Sequence, residues 1–287
     1  MLEINIYTTF FHSSQHPTRL LKYIAHTDIQ EHIPSLFSQS PKPETQPANL
    51  AFRASPILKM TNFQITITSD TVCPWCYVGK KRLEAGIAAY QRKHPSRSTD
   101  TFSTTWKPFY LNPSAGKSVD KQTVYETKFG AERTRTMQNM LSQIGKKEGI
   151  AFKYGGRTGN TRDSHRLLQL GKKKGEKMQT RVVEELFKAY FEEERDITSH
   201  EVLLDAGVKA GLKKEEVQRL LESDEEGEVV DKEVREAQHS FISGVPHFVV
   251  NGKYEVGGAQ EPDTFVEIFE ELAGVGSDVE VRGGQTC

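Results

Sequence analysis

Cysteine is scarce in this chain. Three in 287 residues, Cys73, Cys76 and Cys287, are too few for the disulfide framework that staples small secreted domains. Long apolar runs are missing too, and nothing approaches the roughly 18 consecutive apolar residues of a membrane span, so no membrane partner is expected. Charge of one sign is also absent: 38 basic and 39 acidic residues give a formal net charge of -1, which leaves no basic stripe for phosphate backbones and argues against nucleic acid as a partner. The N-terminal region lacks the charged-then-apolar order of a secretory signal, because Phe10-Phe-His-Ser-Ser-Gln-His-Pro17 breaks its one apolar start. Glu3, Asp28, Glu31 and Glu44 nearly balance the five basic residues before Met60, which disfavours an Arg-rich, acid-poor transit peptide. A reducing, cytoplasmic setting is therefore expected, with a mitochondrial one as the minor alternative.

What is present suits a globular protein of one composite domain or two smaller ones, since 36% of the residues are hydrophobic over a length that buries a core unaided. Residues 1–61 read as a linker or disordered extension, with the proline-rich Ser38-Gln-Ser-Pro-Lys-Pro-Glu-Thr-Gln-Pro-Ala48 as its clearest stretch. Met60 is a candidate translation start, and whether residues 1–59 are translated or cleaved stays open. Residues 62–118 form the first half of an α/β domain. Phe63-Gln-Ile-Thr-Ile-Thr68 alternates as a strand, Cys73-Pro-Trp-Cys76 opens a helix to about 93, and a second strand runs over 102–110. Residues 119–237 read as helical throughout, an inserted domain. One helix is predicted over 123–147 with Gly149 as its left-handed stop, and Asp163 is the predicted cap of the next. Ser199 is the predicted cap of a helix ending at Gly211, and the acidic run Asp224-Glu-Glu-Gly-Glu228 reads as a solvated helix start. Residues 238–273 complete the α/β domain with a hairpin, whose Asn251-Gly252 accepts the positive φ angles of a type I′ turn, and a last helix over 262–272. Residues 274–287 read as a flexible tail.

The chemistry lies in Cys73-Pro-Trp-Cys76. A thiolate is the nucleophile of disulfide exchange, and an ordinary thiol pKa of about 8.5 leaves little of it at neutral pH. A sulfur just ahead of a helix faces free N–H groups and the positive end of the dipole, which stabilise the anion. A second thiol three residues on reaches the first across one turn and can release a trapped mixed disulfide. Pro74 and Trp75 fill the loop between the thiols and tune the pair. A structural zinc needs about four ligands, and no second CxxC or His pair at zinc spacing accompanies this one, so no metal is expected. Strand, CxxC, helix, strand is instead the order of a thioredoxin-like redox site.

Four separated motifs then stand in register: Ser69-Asp70 with Cys73-Pro-Trp-Cys-Tyr-Val-Gly79, Asn160-Thr-Arg-Asp-Ser-His-Arg-Leu167, Ser243-Gly-Val-Pro-His-Phe248, and Gly258-Ala-Gln260. Over 62–273, about three quarters of the chain, the sequence resembles the DsbA-like thioredoxin family and its FrnE-like branch. The resemblance implies a thioredoxin-like fold with a large all-helical insertion. It implies a cis Val245–Pro246 bond, with the Val245 backbone beside the dithiol as a docking edge for an extended substrate. It places Asn160, Arg162, His165 and Arg166 on a helix lining the groove above Cys73, against the alternative of a capped, solvated helix start. Gly258, Ala259 and Gln260 precede a helix whose N–H groups suit a substrate carboxylate, although a tight turn requires glycine equally. His247 departs from the aromatic residue often found after that proline, and reads as a water-facing edge residue in preference to a proton relay.

The expected activity is disulfide reduction or isomerisation through a Cys73 mixed disulfide resolved by Cys76. Pro74, Trp75, Val245, Pro246, Asn160, His165 and Gln260 are the candidate substrate-binding residues. The expected partners are disulfide-containing proteins or small thiols. No bound cofactor is expected, while glutathione is a candidate reductant or co-substrate. The main rival is a glutathione-dependent isomerase or transferase, like the kappa-class transferases and hydroxychromene-carboxylate isomerases. Those enzymes typically carry serine at the first active position, so two retained thiols argue against that role.

Overall fold

The computed structural model describes residues 60–275, so the predicted N-terminal extension up to residue 59 and the tail from 276 to Cys287 lie outside the described residues. The elements are, in order, β1 (Asn62–Ser69), α1 (Pro74–Lys93), a 3-10 turn (Pro95–Arg97), β2 (Thr101–Pro108), β3 (Val119–Asp120), α2 (Lys121–Phe129), α3 (Ala131–Glu148) and β4 (Arg157–Thr158). There follow α4 (Arg162–Lys173), α5 (Glu176–Phe191), α6 (His200–Ala210), α7 (Lys214–Glu222), α8 (Gly227–His239), β5 (His247–Val250), β6 (Tyr254–Gly257) and α9 (Pro262–Ala273).

The main sheet has the order β2-β1-β5-β6. β1 runs parallel to β2, with Ile67 opposite Trp106, and antiparallel to β5, with Ile67 opposite Phe248. β1 is central because Phe63, Ile65 and Ile67 are all buried, as a strand paired on both sides requires. Phe63 meets Phe102 of β2, Tyr90 of α1 and Phe269 of α9, at ring separations of 4.7, 5.4 and 4.9 Å, so α1 and α9 close one core on this strand. Asn251 and Gly252 take φ angles of 51° and 65° between β5 and β6, as their sequence predicts.

α5 is the centre of the helical insertion, burying Val182, Val183, Leu186, Phe187 and Tyr190. It also completes the edge of the main sheet. The Gln179 side chain accepts from the Trp106 N–H at 3.0 Å and donates to the Trp106 carbonyl at 2.9 Å, as a neighbouring strand would. Phe187 stacks on Tyr77 of α1 with centroids 5.0 Å apart, so the insertion packs directly on the helix that follows the dithiol.

Several sequence expectations need correction. The helix predicted over 123–147 is two, α2 and α3, because Gly130 adopts φ 80° and ψ 152°, a conformation essentially restricted to glycine, and breaks the run. The N-cap of α4 is Thr161, not Asp163. The Asn160 carboxamide accepts the free Arg162 N–H at 2.8 Å, and Asp163 lies inside the first turn, 2.8 Å from Arg166. The stretch 119–237 is not wholly helical, since β3 and β4 form a two-residue antiparallel ladder. The acidic run does lead into α8, but it is ion-paired and not merely solvated: Asp224 meets Arg162 at 2.5 Å and Glu226 meets Lys173. Gly149 and Gly211 end their helices in the left-handed region as predicted. Among the described residues, no helix is long and apolar enough to cross a membrane.

Candidate active site

β1 ends at Ser69, and the turn that follows delivers Cys73 to the N-cap of α1 with an extended backbone, φ -90° and ψ 113°. Proline suits the next position, because the first turn of a helix leaves its N–H unpaired in any case. The Cys73 N–H donates to the Asp70 carbonyl and the Cys76 N–H to the Cys73 carbonyl, both at 3.1 Å, so one turn of backbone fixes the two sulfurs relative to each other. Both are free thiols, Cys73 being 1% exposed and Cys76 fully buried. Burial pushes the Cys76 thiol well above the ordinary range, and hydrogen bonding and charge from Cys73 act the same way. The Ser69 hydroxyl and the Asp70 backbone oppose them.

The Val245–Pro246 bond is cis, and the Cys73 thiol points at the Val245 carbonyl oxygen at 3.5 Å. Gly79, one turn after Cys76, makes this approach possible. A Cβ placed there would lie 2.9 Å from Pro246 Cγ, 3.0 Å from Phe248 Cζ and 3.5 Å from Ala259 Cβ. Three motifs far apart in sequence thus converge on one helical position. Trp75 is buried beside them.

The fourth motif supports the turn from behind. Thr71 Oγ1 and Ser164 Oγ share a hydrogen bond of 2.7 Å, and Asp70 Oδ2 accepts the Leu111 N–H at 2.8 Å. His165 Nε2 lies 3.2 Å from the Phe109 carbonyl and 3.4 Å from Asp70 Oδ1. Both neighbours are acceptors, so Nε2 carries the proton, and Nδ1 is buried without a partner among the described residues. Asn160 is occupied in capping α4 and reaches the Ala115 carbonyl at 3.4 Å. Gln260 is exposed and its amide donates to the Gly257 carbonyl at 2.8 Å. His247 Nε2 stands 3.5 Å from Glu255, with Nδ1 buried and without a partner among the described residues.

Sequence reasoning missed a cleft that opens beside Pro74, between α2, α3, the segment after α3 and the end of α5. Its walls include Tyr125, Met137, Leu141, Phe152 and Phe191, with Lys121 and Thr134 among them. Burial raises the Tyr125 phenol, and the charge of Cys73 adds to that rise. These residues come from positions 121 to 191 and share no motif, so only the fold assembles them.

Residues 64–270 match the DSBA-like thioredoxin domain family. This chain is a member of that family. The fold is accordingly the thioredoxin fold with a helical insertion. Among curated proteins it is 27% identical over 216 residues to "Uncharacterized protein YwbO" of Bacillus subtilis (strain 168), covering 72% of this chain and 96% of that one. Among solved structures, the probable DsbA oxidoreductase SCO1869 from Streptomyces coelicolor is 29% identical with a TM-score of 0.66, over 78% of this chain and 96% of its own. A 2-hydroxychromene-2-carboxylate isomerase shares the fold at 13% identity and a TM-score of 0.52, over 75% of this chain and all of its own.

Proposed function

We propose that this chain is a thiol–disulfide oxidoreductase working in the cytoplasm as a disulfide reductase or isomerase. The observation that carries the reading is a pair of free sulfurs one turn apart at the start of α1, the first facing the Val245 carbonyl at 3.5 Å. The Cys73 thiolate attacks one sulfur of a substrate disulfide. The S–S bond breaks, the departing sulfur takes a proton, and a mixed disulfide remains on Cys73. Cys76 then gives up its proton, attacks Cys73 Sγ and expels the second substrate thiol. Two electrons have passed to the substrate and Cys73–Cys76 is a disulfide, which two equivalents of a small thiol such as glutathione reduce again.

The high thiol pKa that burial imposes on Cys76 suits this order, because the nucleophile of the second step stays protonated while the first proceeds. In this reading Val245 and Pro246 form the docking edge, Pro74 and Trp75 border the sulfur, and Gln260 lies at the rim. Asn160 and His165 act from behind the turn by fixing it. Direction follows from the compartment: a cytosolic glutathione poise keeps most such pairs reduced, so net reduction is favoured there. The serine expected of a glutathione-dependent isomerase is replaced by Cys73.

Reduction of insulin or a small disulfide, measured for the intact protein and for Cys73→Ser, tests this, with activity lost in the variant. Cys76→Ser should accumulate covalent mixed disulfides that are recoverable from cells. Full activity without Cys73 sinks the proposal.

A further inference from the structure

Among the polar groups that line the cleft beside Pro74, Thr134 and Lys121 stand out as buried and incompletely satisfied. Thr134 is fully buried, and its hydroxyl has no hydrogen-bond partner among the described residues. Such a group is costly to leave unpaired, so it marks a place where a ligand atom belongs. Lys121, 3% exposed, makes no ion pair among the described residues. Its ammonium donates to the Tyr190 carbonyl at 3.1 Å and sits 4.0 Å above the Tyr190 ring. An ammonium has three donors, so at least one remains for a ligand. Desolvation lowers its pKa to about 8, against the opposing charge of Glu194. A buried lysine lacking a carboxylate partner is best satisfied by an anion brought in from outside.

Of the remaining walls, Tyr125, Met137, Leu141, Phe152 and Phe191 are apolar or aromatic, while Gln138 and Lys153 add polar groups. Pro74, which lines this cleft, directly follows Cys73 at the start of α1.

We infer that this cleft is a substrate subsite for low-molecular-weight disulfides whose sulfur carries an apolar or aromatic body ending in a carboxylate, the body packing on Leu141 and Phe152 and the carboxylate pairing with Lys121 and Thr134. The inference rests on the oxidoreductase reading and adds the substrate class to it. The chemistry is the exchange already written: the substrate S–S bond breaks, two substrate thiols are released and Cys73–Cys76 becomes oxidised. Dithiothreitol reduces both test disulfides directly, so it is used only to reduce the dithiol beforehand and is removed; rates are read in a single turnover, with KM the half-saturating disulfide concentration.

The test compares two aromatic disulfides, one bearing carboxylates, 5,5′-dithiobis(2-nitrobenzoate), and one neutral, 4,4′-dithiodipyridine. Wild type, Lys121→Met, Thr134→Val and the exposed-site control Lys117→Met are each assayed. KM for the carboxylated disulfide should rise about tenfold or more in Lys121→Met, as expected for loss of a charge-assisted contact, and severalfold in Thr134→Val. Their kinetics with the neutral disulfide, and both reactions of Lys117→Met, should be unchanged. For wild type alone, 4-nitrobenzoate should inhibit the neutral reaction competitively and nitrobenzene should do so at least tenfold more weakly, a result that stands even if a variant does not fold. Equal inhibition by the two compounds, or equal losses with both disulfides in Lys121→Met, overturns the subsite. Failure of wild type to reduce either disulfide, with 4-nitrobenzoate still binding by calorimetry, would instead overturn the oxidoreductase reading and leave the subsite standing.

Discussion

Gly79→Ala probes the contact between the dithiol helix and the strand that faces it. In an exposed helix, alanine is favoured over glycine by about 1 kcal/mol. Here the added methyl would meet Pro246 Cγ at 2.9 Å and Phe248 Cζ at 3.0 Å, both closer than carbon atoms pack, and Phe248 has no exposed surface into which to swing. Overpacking of this kind costs about 1–3 kcal/mol. With both neighbours constrained, the upper part of that range applies and outweighs the propensity gain, leaving a net loss of about 1–2 kcal/mol. Relief requires Pro246 or Phe248 to move away from α1, which carries the Val245 carbonyl off its 3.5 Å approach to Cys73. Urea unfolding should therefore show a lower midpoint at unchanged slope, and kcat/KM for disulfide reduction should fall with it. Phe248→Leu, which removes the obstructing ring edge, should cost less in the Gly79→Ala background than in wild type, by about 0.5 kcal/mol or more. An alanine variant that is as stable and as active as wild type, with additive double-mutant energies, would refute the packing argument.

Two further perturbations address other parts of the structure. Gln179→Leu strips the Trp106 N–H and carbonyl of their partners in a buried setting, so a loss of about 2–4 kcal/mol is expected by urea denaturation, and a change under about 1 kcal/mol would mean that the backbone finds other partners. For Cys76, burial raises the folded-state pKa well above that of a free thiol, so above that range the folded chain keeps a proton that the unfolded chain has lost. The stabilisation is complete below about pH 9 and declines as pH rises toward the folded value. Reduced wild type should consequently lose stability with alkali more steeply than Cys76→Ala, as denaturant titrations from pH 8 to 11 would show. Parallel slopes would contradict the assignment.

The parts of the fold that were legible in the sequence are those governed by local chemistry. Phe63, Ile65 and Ile67 alternate, and a strand follows. Asn251-Gly252 has the backbone freedom of a tight hairpin, and the hairpin is there. Gly130 was overlooked because apolar periodicity continues on both sides of it, and the break is visible only in its backbone angles. Asp163 is the expected cap because it lies close to the first apolar residues, but Asn160, whose N–H donates to the Gly116 carbonyl, turns its carboxamide to the Arg162 N–H instead. The dithiol was readable because two cysteines at fixed spacing encode their own geometry. The cleft was not, since Lys121, Thr134 and Phe191 meet only after α2, α3 and α5 have packed, and each alone looks like an ordinary helical residue.

The 172 residues that separate Cys73 from Val245 have a consequence for biosynthesis. At ribosomal speeds of about 5–20 residues per second, the thiol emerges roughly 10–30 s before the carbonyl that will cover it is made. During that interval β1, α1 and β2 can already pair as a contiguous unit, so a nascent chain carries a formed redox turn with one side open. A ribosome stalled after Cys73 has emerged but before residue 245 is made would hold out a nucleophile without its lid, open to whatever disulfides or oxidants pass by.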